Sequence, residues 1–492
     1  MPMFVKKQTI FICLCTGQLF SVIILGKCHE LLVFSFMIII KYIVKRWNSL
    51  STILENLTFK GGVHIPENKD LTSSKAIERA REPKTVYIPL QQHVGAPCEA
   101  IVKVGDNVKV GQKIGDSKAG LTAPVHSSVS GVVKSIKKMH TTQGIKCDCI
   151  EIESDGLNEL DESIGVKGDL TNLSKEDIVN KIREAGIVGL GGAGFPTHSK
   201  LTSAADSNID SFILNGAECE PYLTCDHRIM IEEPEKVIFG LEVFMKYFDN
   251  CAGYIAIEDN KKDAIDILSK ASNDKNIKIA SLKTKFPQGE SYRIVDSVLK
   301  RVVPQGGRCK DANSVVTNIN TAYAVAEVIQ DSKPLYERVI TVTGSGIKEP
   351  KNLLVKIGST IGEIIEQCGG FKGKPGKIIA GGPMTGIAQY TLDAPIVKEV
   401  SGIVVFTEEE VKIDKVQPCI KCGKCIEVCP VFLEPLYISA YSLVGNMEMA
   451  EKYDALACVS CGSCSYACPS KRPLTESINH AQNEIKSNRK KS

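Results

Sequence analysis

The carboxyl-terminal part of the chain contains one cysteine motif twice, and this repeat limits what the chain can fold around. The motif has the spacing C-x2-C-x2-C-x3-C-P. Its two copies are Cys419-Ile-Lys-Cys422-Gly-Lys-Cys425-Ile-Glu-Val-Cys429-Pro430 and Cys458-Val-Ser-Cys461-Gly-Ser-Cys464-Ser-Tyr-Ala-Cys468-Pro469. Three closely spaced thiolates wrap one face of an iron–sulfur cubane. The Pro then turns the chain away, so the fourth ligand comes from the other motif.

The motifs therefore predict two [4Fe–4S] clusters with crossed ligands. We assign to one cluster Cys419, Cys422, Cys425 and Cys468. We assign to the other cluster Cys458, Cys461, Cys464 and Cys429. Zinc fits less well, because structural zinc sites take four ligands as two pairs rather than as one run closed by a Pro. The helix-like stretch between the motifs favours a helical two-cluster ferredoxin domain over residues 411–480.

The composition agrees with metal binding rather than with disulfides. The chain has 492 residues and 19 Cys, which is long enough to bury real cores without a disulfide scaffold. So many thiols in a large protein indicate a reducing compartment. Hydrophobic residues at 43% and charged residues at 24% exclude a mostly disordered chain. The net charge of +3 gives no polybasic surface, so no nucleic-acid partner is expected.

Residues 1–53 differ from the rest and form a hydrophobic leader. They contain six basic residues and one acid, whereas the remaining residues have a net charge of −2. Their two apolar runs, Phe11–Leu25 and Leu31–Val44, are both shorter than the ~20 residues that span a bilayer. Three interpretations remain open: a membrane anchor, a short interfacial hairpin, or a stretch that precedes the true start near Leu54.

Residues 54–156 contain short runs of Val, Ile and Gly broken by turns, which predicts a small β-barrel or sandwich. The expected strands are 85–89, 100–104 and 131–136. The stretch 104–133 resembles the biotinyl/lipoyl-carrier fold. Its hairpin tip is His126-Ser127-Ser128 rather than a modifiable Lys, so we expect a structural docking barrel.

A polar, acidic linker over 157–173 precedes two further domains. Between 174 and 333 helical and strand-like runs alternate, which predicts an α/β domain. Ser174 with Asp177 marks its first helix N-terminus. Residues 334–405 return to short strands around one helix, and predict a small α+β module.

A glycine-rich loop lies early in the α/β domain, with the sequence Gly189-Leu-Gly191-Gly192-Ala-Gly194-Phe195-Pro196-Thr197. A classical Rossmann site is disfavoured, because a helix precedes the loop and Pro196 stands where the next helix should be running. Consecutive glycines can still expose amide groups that cradle a phosphate, with Lys200 as a positive partner. A tight structural turn is the alternative.

An acidic turn, Asn215-Gly-Ala-Glu218-Cys219-Glu220-Pro221, follows a strand-like run in the same domain. Polar groups at the carboxyl end of a strand are where α/β sheets bind ligands. A third segment is Val315-Val316-Thr317-Asn318. Together with the glycine loop, these segments resemble the flavin-binding subunit of respiratory complex I.

The resemblance implies an FMN site that admits NADH. By position, it implies that Gly189, Gly191, Gly192 and Gly194 cradle the FMN phosphate and that Lys200 pairs with it. It places Asn215 and Asn318 on the isoalloxazine or ribityl group, and Glu218 and Glu220 on the nicotinamide side. The chain departs from that family at Gly216-Ala217, where the family has an Asp, and in its two ferredoxin motifs.

The order of the domains resembles the RnfC family, one component of the Rnf electron-transport complex, over residues 55–480. The segments that carry this resemblance are Phe59-Lys-Gly-Gly-Val-His-Ile-Pro66, Phe286-Pro-Gln-Gly-Glu290 and Gly381-Gly-Pro-Met384. It implies a multidomain α/β and α+β protein with four parts. These are a β barrel-sandwich domain, a complex I-like FMN-binding α/β domain, a β-grasp module of the soluble-ligand-binding (SLBB) type and a helical two-cluster ferredoxin domain.

The same resemblance implies a peripheral subunit on the cytoplasmic side of the cell membrane. Its partners would be the other subunits of an Rnf-type complex, which couples electron transfer between ferredoxin and NAD⁺ to ion translocation. Its cofactors would be FMN and two [4Fe–4S] clusters, with NAD(H) as substrate and no catalytic side chain. Two alternatives remain: a soluble NADH-dependent reductase such as a cobalamin reductase, and a structural adaptor whose clusters only stabilise the fold.

Overall fold

The computed structural model describes residues 8–13, 19–24, 53–249, 251–273, 275–411 and 414–491. Within residues 1–52, strands β1 (Gln8–Cys13) and β2 (Leu19–Ile24) pair antiparallel. The second apolar run of the leader lies outside the described residues. Residues 53–492 form a separate compact unit. In the described part of the chain, no helix is both long enough and apolar enough to cross a bilayer.

The predicted barrel is present as two small antiparallel sheets. One sheet has the order β5-β11-β10-β7 and the other the order β6-β8-β9. The strands are β5 (Thr85–Pro89), β6 (Glu99–Ala100), β7 (Asn107–Val108), β8 (Lys113–Asp116), β9 (Val125–His126), β10 (Gly131–His140) and β11 (Lys146–Ser154). The strand expected over 100–104 ends at Ala100, and Ile101 and Val104 are exposed.

The hairpin tip of the barrel is buried, as a docking role requires. His126, Ser127 and Ser128 are each at most 5% exposed. The Ser128 hydroxyl donates to the carbonyl oxygen of Ile357, at 2.6 Å. A carrier domain presents its tip to solvent, so this tip serves packing between domains.

The α/β domain contains a five-stranded, all-parallel sheet in the order β15-β12-β13-β14-β3. Its strands are β3 (Ile53–Leu57), β12 (Ser211–Gly216), β13 (Ala252–Glu258), β14 (Ile277–Leu282) and β15 (Ser314–Asn318). Apolar side chains cover both faces of the sheet, with Phe212 and Leu214 on one face and Ile213 on the other. Burial on both faces is the usual condition of a parallel sheet.

Seven helices accompany this sheet in the described residues. They are α1 (Lys175–Glu184), α2 (Thr197–Ala204), α3 (Cys225–Glu232), α4 (Pro234–Tyr247), α5 (Lys262–Ala271), α6 (Ser291–Leu299) and α7 (Ile319–Asp331). The predicted capping box is present at α1, where Ser174 and Asp177 satisfy each other's backbone amides. As expected, no helix runs through Pro196; it immediately precedes α2, a short helix that was not predicted.

A mixed six-stranded sheet forms the α+β module, in the order β19-β18-β20-β16-β17-β4. Its strands are β4 (Ile77–Arg79), β16 (Glu337–Thr343), β17 (Lys351–Lys356), β18 (Pro375–Ala380), β19 (Ile387–Gln389) and β20 (Gly402–Thr407). Helix α8 (Ile361–Gln367) begins at a capping box formed by Thr360 and Glu363.

The carboxyl-terminal domain is helical. Its helices are α9 (Lys424–Glu427), α10 (Pro435–Leu443), α11 (Met447–Lys452), α12 (Ser463–Ala467) and α13 (Leu474–Lys491). The stretch between the cysteine motifs is two helices rather than one, with Gly445 at a positive φ of 74° between them. Ile438, Ile478 and Ile485 pack in the domain core.

Residues 53–81, which we call the amino-terminal segment, differ from their predicted place in the barrel. β3 lies at the edge of the parallel sheet, and β4 lies at the edge of the mixed sheet. Between them, the amide of Gly62 donates to the carbonyl oxygen of Val428 in the helical domain. The segment therefore contacts three domains before the first barrel strand begins at Thr85.

Candidate functional site

The glycine loop closes on itself between α1 and α2. The Gly189 amide donates to the Phe195 carbonyl oxygen at 2.8 Å, and the Gly194 amide donates to the Gly189 carbonyl oxygen at 3.2 Å. Gly192 and Gly194 have φ of +123° and +60°, a region that strongly favours glycine. A Cβ added at Gly191 would lie 3.1 Å from Cβ of Asn318, so the loop and β15 approach closely.

The acidic turn follows β12 and is held by side-chain contacts. The Asn215 amide group donates to the Gly289 carbonyl oxygen at 2.8 Å. The Glu218 carboxylate accepts from the backbone amide of Asp226 at 2.7 Å, at the start of α3. The Glu220 carboxylate accepts from the backbone amides of Met384 and Thr385, at 3.0 and 2.8 Å. The turn therefore joins the α/β domain to the mixed sheet.

Asn318 connects the third predicted segment to the same turn. Its amide group donates to the Asp226 carboxylate at 2.7 Å, and its side-chain oxygen accepts from the Asn320 backbone amide at 2.8 Å. Asp226 also accepts from the side-chain amide of Asn320. The three segments selected from the sequence thus meet at the carboxyl ends of β12 and β15.

One cavity lies at this meeting point. Its lining includes five predicted site residues: Gly191, Asn215, Glu218, Glu220 and Asn318. From the loop after β14 it includes Phe286, Pro287, Gly289 and Glu290. It also includes Val459 and Cys461 of the second cysteine motif. A flavin-type site and a cluster motif therefore share one space, which the sequence had not indicated.

Lys200 lies elsewhere. It lines a second cavity with Phe195, Tyr292, Arg308 and Lys310, and does not line the first. Its amino group donates to the Val316 carbonyl oxygen at 2.9 Å. Burial lowers the pKa of this lysine. The pairing of Lys200 with the FMN phosphate therefore stays a prediction. It requires the phosphate to lie in this second cavity.

Two buried lysines donate hydrogen bonds to backbone carbonyl oxygens in and next to the acidic turn. The sequence did not indicate this role. The Lys69 amino group donates to three carbonyl oxygens, those of Glu218, Glu220 and Leu223, at 2.9, 2.9 and 2.5 Å. The Lys261 amino group donates to the Ala217 carbonyl oxygen at 2.7 Å. The sequence shows that these residues are charged but does not show that they are buried donors, because their partners are distant in the chain or are backbone atoms.

Burial also changes the protonation of the acids in the turn. It raises the pKa of Glu218 to about 7, an effect that the positive charge of Lys69 opposes. Burial likewise raises the pKa of Asp226, against the hydrogen bonds from Asn318 and Asn320. Glu220 and Glu290, which line the same cavity, also have pKa values raised by burial, so the cavity contains four carboxyl groups that bind protons more readily than exposed acids.

The two cysteine motifs have the same backbone conformation. Lys421 and Ser460 both have φ of +54°, and Gly423 and Gly462 have φ of +78° and +81°. The amides of Lys421 and Ser460 each lie 3.4 Å from the preceding Sγ, those of Cys419 and Cys458. Amide groups directed at sulfur stabilise thiolate ligands of a cluster.

The structure brings together the cysteines that the crossed assignment requires. A small cavity is lined by Cys419, Cys422, Cys425 and Cys468. In the other set, burial raises the pKa of Cys458 to about 11 and of Cys464 to about 12, and the charges of Cys461 and Cys429 add to both shifts. The donor set is thiol only, with the crossed partner present in each case, which fits iron–sulfur clusters.

Four family models match the chain, in the predicted order. They are an RnfC barrel sandwich hybrid domain over residues 57–157, a Nuo51 FMN-binding domain over 182–327, an SLBB domain over 339–388 and a 4Fe-4S dicluster domain over 415–485. These matches confirm the predicted fold class, and with it the FMN-binding and dicluster domains.

Curated relatives decide the family. The chain is 45% identical over 88% of its length to the C subunit of the Na(+)-translocating ferredoxin:NAD(+) oxidoreductase complex of Acetobacterium woodii, of which 98% is covered. The chain belongs to the RnfC family. Another RnfC-family member is the C subunit of the proton-translocating ferredoxin:NAD(+) oxidoreductase complex of Clostridium ljungdahlii, 44% identical over 87% of this chain and 94% of that one.

A solved structure shows only a distant likeness to this RnfC-family chain. It is described as the NAD⁺-reducing [NiFe]-hydrogenase in the air-oxidized state. The superposition has a TM-score of 0.43 at 17% identity, and covers 58% of this chain and 54% of that one.

Proposed function

We propose that this chain is the peripheral subunit that passes electrons between NAD(H), FMN and two [4Fe–4S] clusters in a membrane-bound ferredoxin:NAD⁺ oxidoreductase complex. One observation carries the proposal. The cavity that contains Asn215, Glu218 and Asn318 also contains Val459 and Cys461, so the flavin-type site opens directly onto the second cysteine motif.

FMN, when bound, exchanges hydride with NAD(H) and single electrons with iron–sulfur clusters. The side chains of the cavity bind and orient, and none of them is required as a nucleophile. Gly191, Asn215 and Asn318 lie together at the strand ends, which supports their predicted role in binding FMN. Glu218, Glu220, Asp226 and Glu290, all with raised pKa values, are the carboxyl groups of the cavity that can hold a proton near the reacting ring.

The remaining site assignments are carried forward as part of this proposal. Gly189, Gly192 and Gly194 shape the phosphate loop, and Lys200 supplies positive charge from the neighbouring cavity. Glu220 stays on the nicotinamide side, where it also fixes the loop around Met384. Each cysteine set binds one cluster, as assigned from the motif spacing.

The proposal of ion translocation and membrane attachment rests on the names of the relatives. Their names describe subunits of complexes that translocate Na⁺ or protons and act between ferredoxin and NAD⁺. We propose that this chain works on the cytoplasmic side of the cell membrane, bound to other subunits of such a complex. The ion path then belongs to those subunits, and this chain supplies electrons.

A titration with NADH tests the proposed function. Holoprotein with FMN and clusters should lose flavin absorbance and gain the signal of reduced clusters in the same titration. In Gly191→Val the new side chain meets Asn318, so we expect loss of FMN and of NADH-driven reduction, with the clusters still reducible by dithionite. Gly120→Val is the matched control, because no atom lies within 4 Å of the added Cβ. Clusters that NADH reduces without FMN would overturn the proposal.

A further inference from the structure

The two cysteine motifs share a backbone conformation but face different surroundings. In the second motif, the residue after the first cysteine is Val459, which lines the flavin-type cavity. In the first motif, the equivalent residue is Ile420, which is 67% exposed. The same turn therefore faces a cofactor cavity in one copy and solvent in the other.

The thiols follow the same division. Cys419 and Cys422 are exposed, whereas Cys464 and Cys429 of the other set are buried. The cluster site formed around Cys419 and Cys422 is thus the outer end of the electron path that we propose. A redox centre at the surface can exchange electrons with a docked protein, and such encounters use small interfaces.

The charge of the outer motif differs from that of the inner motif at three equivalent positions. Where the inner motif has Ser460, Ser463 and Tyr466, the outer motif has Lys421, Lys424 and Glu427, all three exposed, and its balance stays positive. Lys415, just before the motif, is exposed as well. Across the described ranges, none of these three lysines forms an ion pair with a carboxylate within 4 Å. Their charge is therefore directed to solvent.

Exposed apolar residues stand between these lysines in the sequence. Val416 is 51% exposed and Ile420 is 67% exposed. Arg472 adds positive charge, since it lines the same small cavity as Cys422. An apolar centre within a charged rim is the usual composition of a protein interface, and the charge of the rim selects a partner of opposite sign.

We infer that the surface formed by Lys415, Val416, Ile420, Lys421 and Lys424 docks a one-electron redox protein that has carboxylates around its own redox centre. The inference rests on the proposed function, because it concerns the outer end of the same path. The step transfers one electron: the reduced cluster is oxidised by one electron and the partner's centre is reduced by one. No bond forms or breaks, and no proton is required.

The test uses two probe proteins of opposite charge, acidic cytochrome b5 and basic cytochrome c. Holoprotein is reduced with dithionite, freed of excess reductant, and mixed with each oxidised probe in a stopped-flow instrument. The double variant Lys421→Glu/Lys424→Glu should reduce cytochrome b5 about tenfold more slowly and cytochrome c faster. Raising the salt from about 20 mM to about 500 mM should slow the reaction of the unchanged protein with cytochrome b5.

A binding measurement and a matched control complete the test. Surface plasmon resonance on immobilised cytochrome b5 should show weaker binding by the double variant. Lys103→Glu/Lys118→Glu makes the same charge change on the barrel, and should leave rates and binding unchanged. The inference is overturned if the Lys421/Lys424 variant binds and reduces cytochrome b5 like the unchanged protein, or if both probes slow alike. Because dithionite bypasses FMN, this result is independent of the NADH titration.

Discussion

At the scale of single residues, Lys69 is the least expected part of the site. Its amino group is the common donor for two carbonyl oxygens of the acidic turn and for that of Leu223, just after it. Glu218 in the turn and Tyr222 directly after it have positive φ of 47° and 70°, which strains non-glycine backbone. Burial lowers the pKa of Lys69, and the nearby carboxylate of Glu218 opposes that change. The lysine thus holds a turn that would not keep its shape alone.

Replacing Lys69 by Met tests this function. Three buried carbonyl oxygens would lose their donor, each at a cost of about 1–3 kcal/mol if it stays unpaired. We expect FMN affinity to fall at least about tenfold and the free energy of unfolding to decrease, as measured by fluorescence titration and urea unfolding. Lys75→Met is the control, since Lys75 is exposed and donates to one carbonyl oxygen, that of Pro350. Unchanged FMN affinity in Lys69→Met would refute the assignment.

The cysteines and Lys69 show what a sequence can indicate at this scale. Motif spacing predicted the crossed cysteine sets, and the same cysteines lie together in the structure. The spacing within each motif is a local property, and the Pro that ends the motif indicates that the fourth ligand comes from the other copy. The contacts of Lys69 join residues 149 to 154 positions apart. No local pattern contains such a contact, so the buried lysine looked like an ordinary charge.

At the scale of elements, local signals predicted some helices and strands well. β5 has the bounds expected from the sequence, and α1 begins at the expected capping box. Helix α2 was missed because Pro196 was used only to argue against a Rossmann helix, although proline is compatible with the position just before a helix starts. The segment before β5 was assigned to the barrel, although its strands belong to two other sheets. Local sequence does not show this, because β3 pairs with β14 and β4 pairs with β17, which are far along the chain.

The amino-terminal segment packs against the first cysteine motif, and a substitution at Gly61 tests whether this contact stabilises a cluster. Gly61 has φ of +88°, and a Cβ there would lie 2.9 Å from the carbonyl oxygen of Cys429. We expect Gly61→Ala to displace Cys429 and to speed the loss of iron, on exposure to a chelator, from the cluster that Cys429 binds together with Cys458, Cys461 and Cys464. Gly105→Ala is the matched control, with φ of +96° and no atom within 4 Å of the added Cβ. Equal iron loss in both variants would show that only backbone strain matters.

At the scale of the whole molecule, the barrel, the glycine loop and the mixed sheet meet around three buried histidines. His93, His126 and His198 are at most 8% exposed, and each has an Nδ1 without a hydrogen-bond partner. Burial lowers their pKa values to about 4, 3 and 4, and the buried amino group of Lys398 adds to this for His93 and His126. The domain junction therefore requires neutral imidazoles.

This junction predicts loss of stability in mild acid. Above pH 6.5 these histidines are neutral in both folded and unfolded chains, so they contribute no pH dependence. Below pH 6.5 the unfolded chain binds protons that the folded chain does not, and stability falls, by up to about 2 kcal/mol per histidine at pH 5. Buried acids with raised pKa values, such as Glu218 and Glu399, act in the opposite direction, so the test compares variants. In thermal unfolding from pH 8 to pH 5, His126→Gln should lose less stability than the unchanged protein, and His64→Gln, where the histidine is exposed, should follow the unchanged protein. Identical profiles for His126→Gln and the unchanged protein would contradict this account of the junction.

The arrangement of the domains could not be read from the sequence, even though each domain was recognisable. The placement of Val459 and Cys461 beside Asn215 and Asn318 depends on packing between domains, which no motif encodes. That placement orders the electron path: flavin site, inner cluster with Cys461, then outer cluster with Cys422.

Rapid-freeze EPR after mixing with NADH tests that order most directly, on holoprotein of the variants Cys422→Ala and Cys461→Ala. Each variant should lose about half of the iron, since each lacks a ligand of one cluster. In Cys422→Ala the inner cluster should be reduced as fast as in the unchanged protein. In Cys461→Ala the outer cluster should remain intact but be reduced by NADH at least about 100-fold more slowly, a change of about 2.7 kcal/mol in the barrier. Reduction of the outer cluster at an unchanged rate in Cys461→Ala would contradict the account.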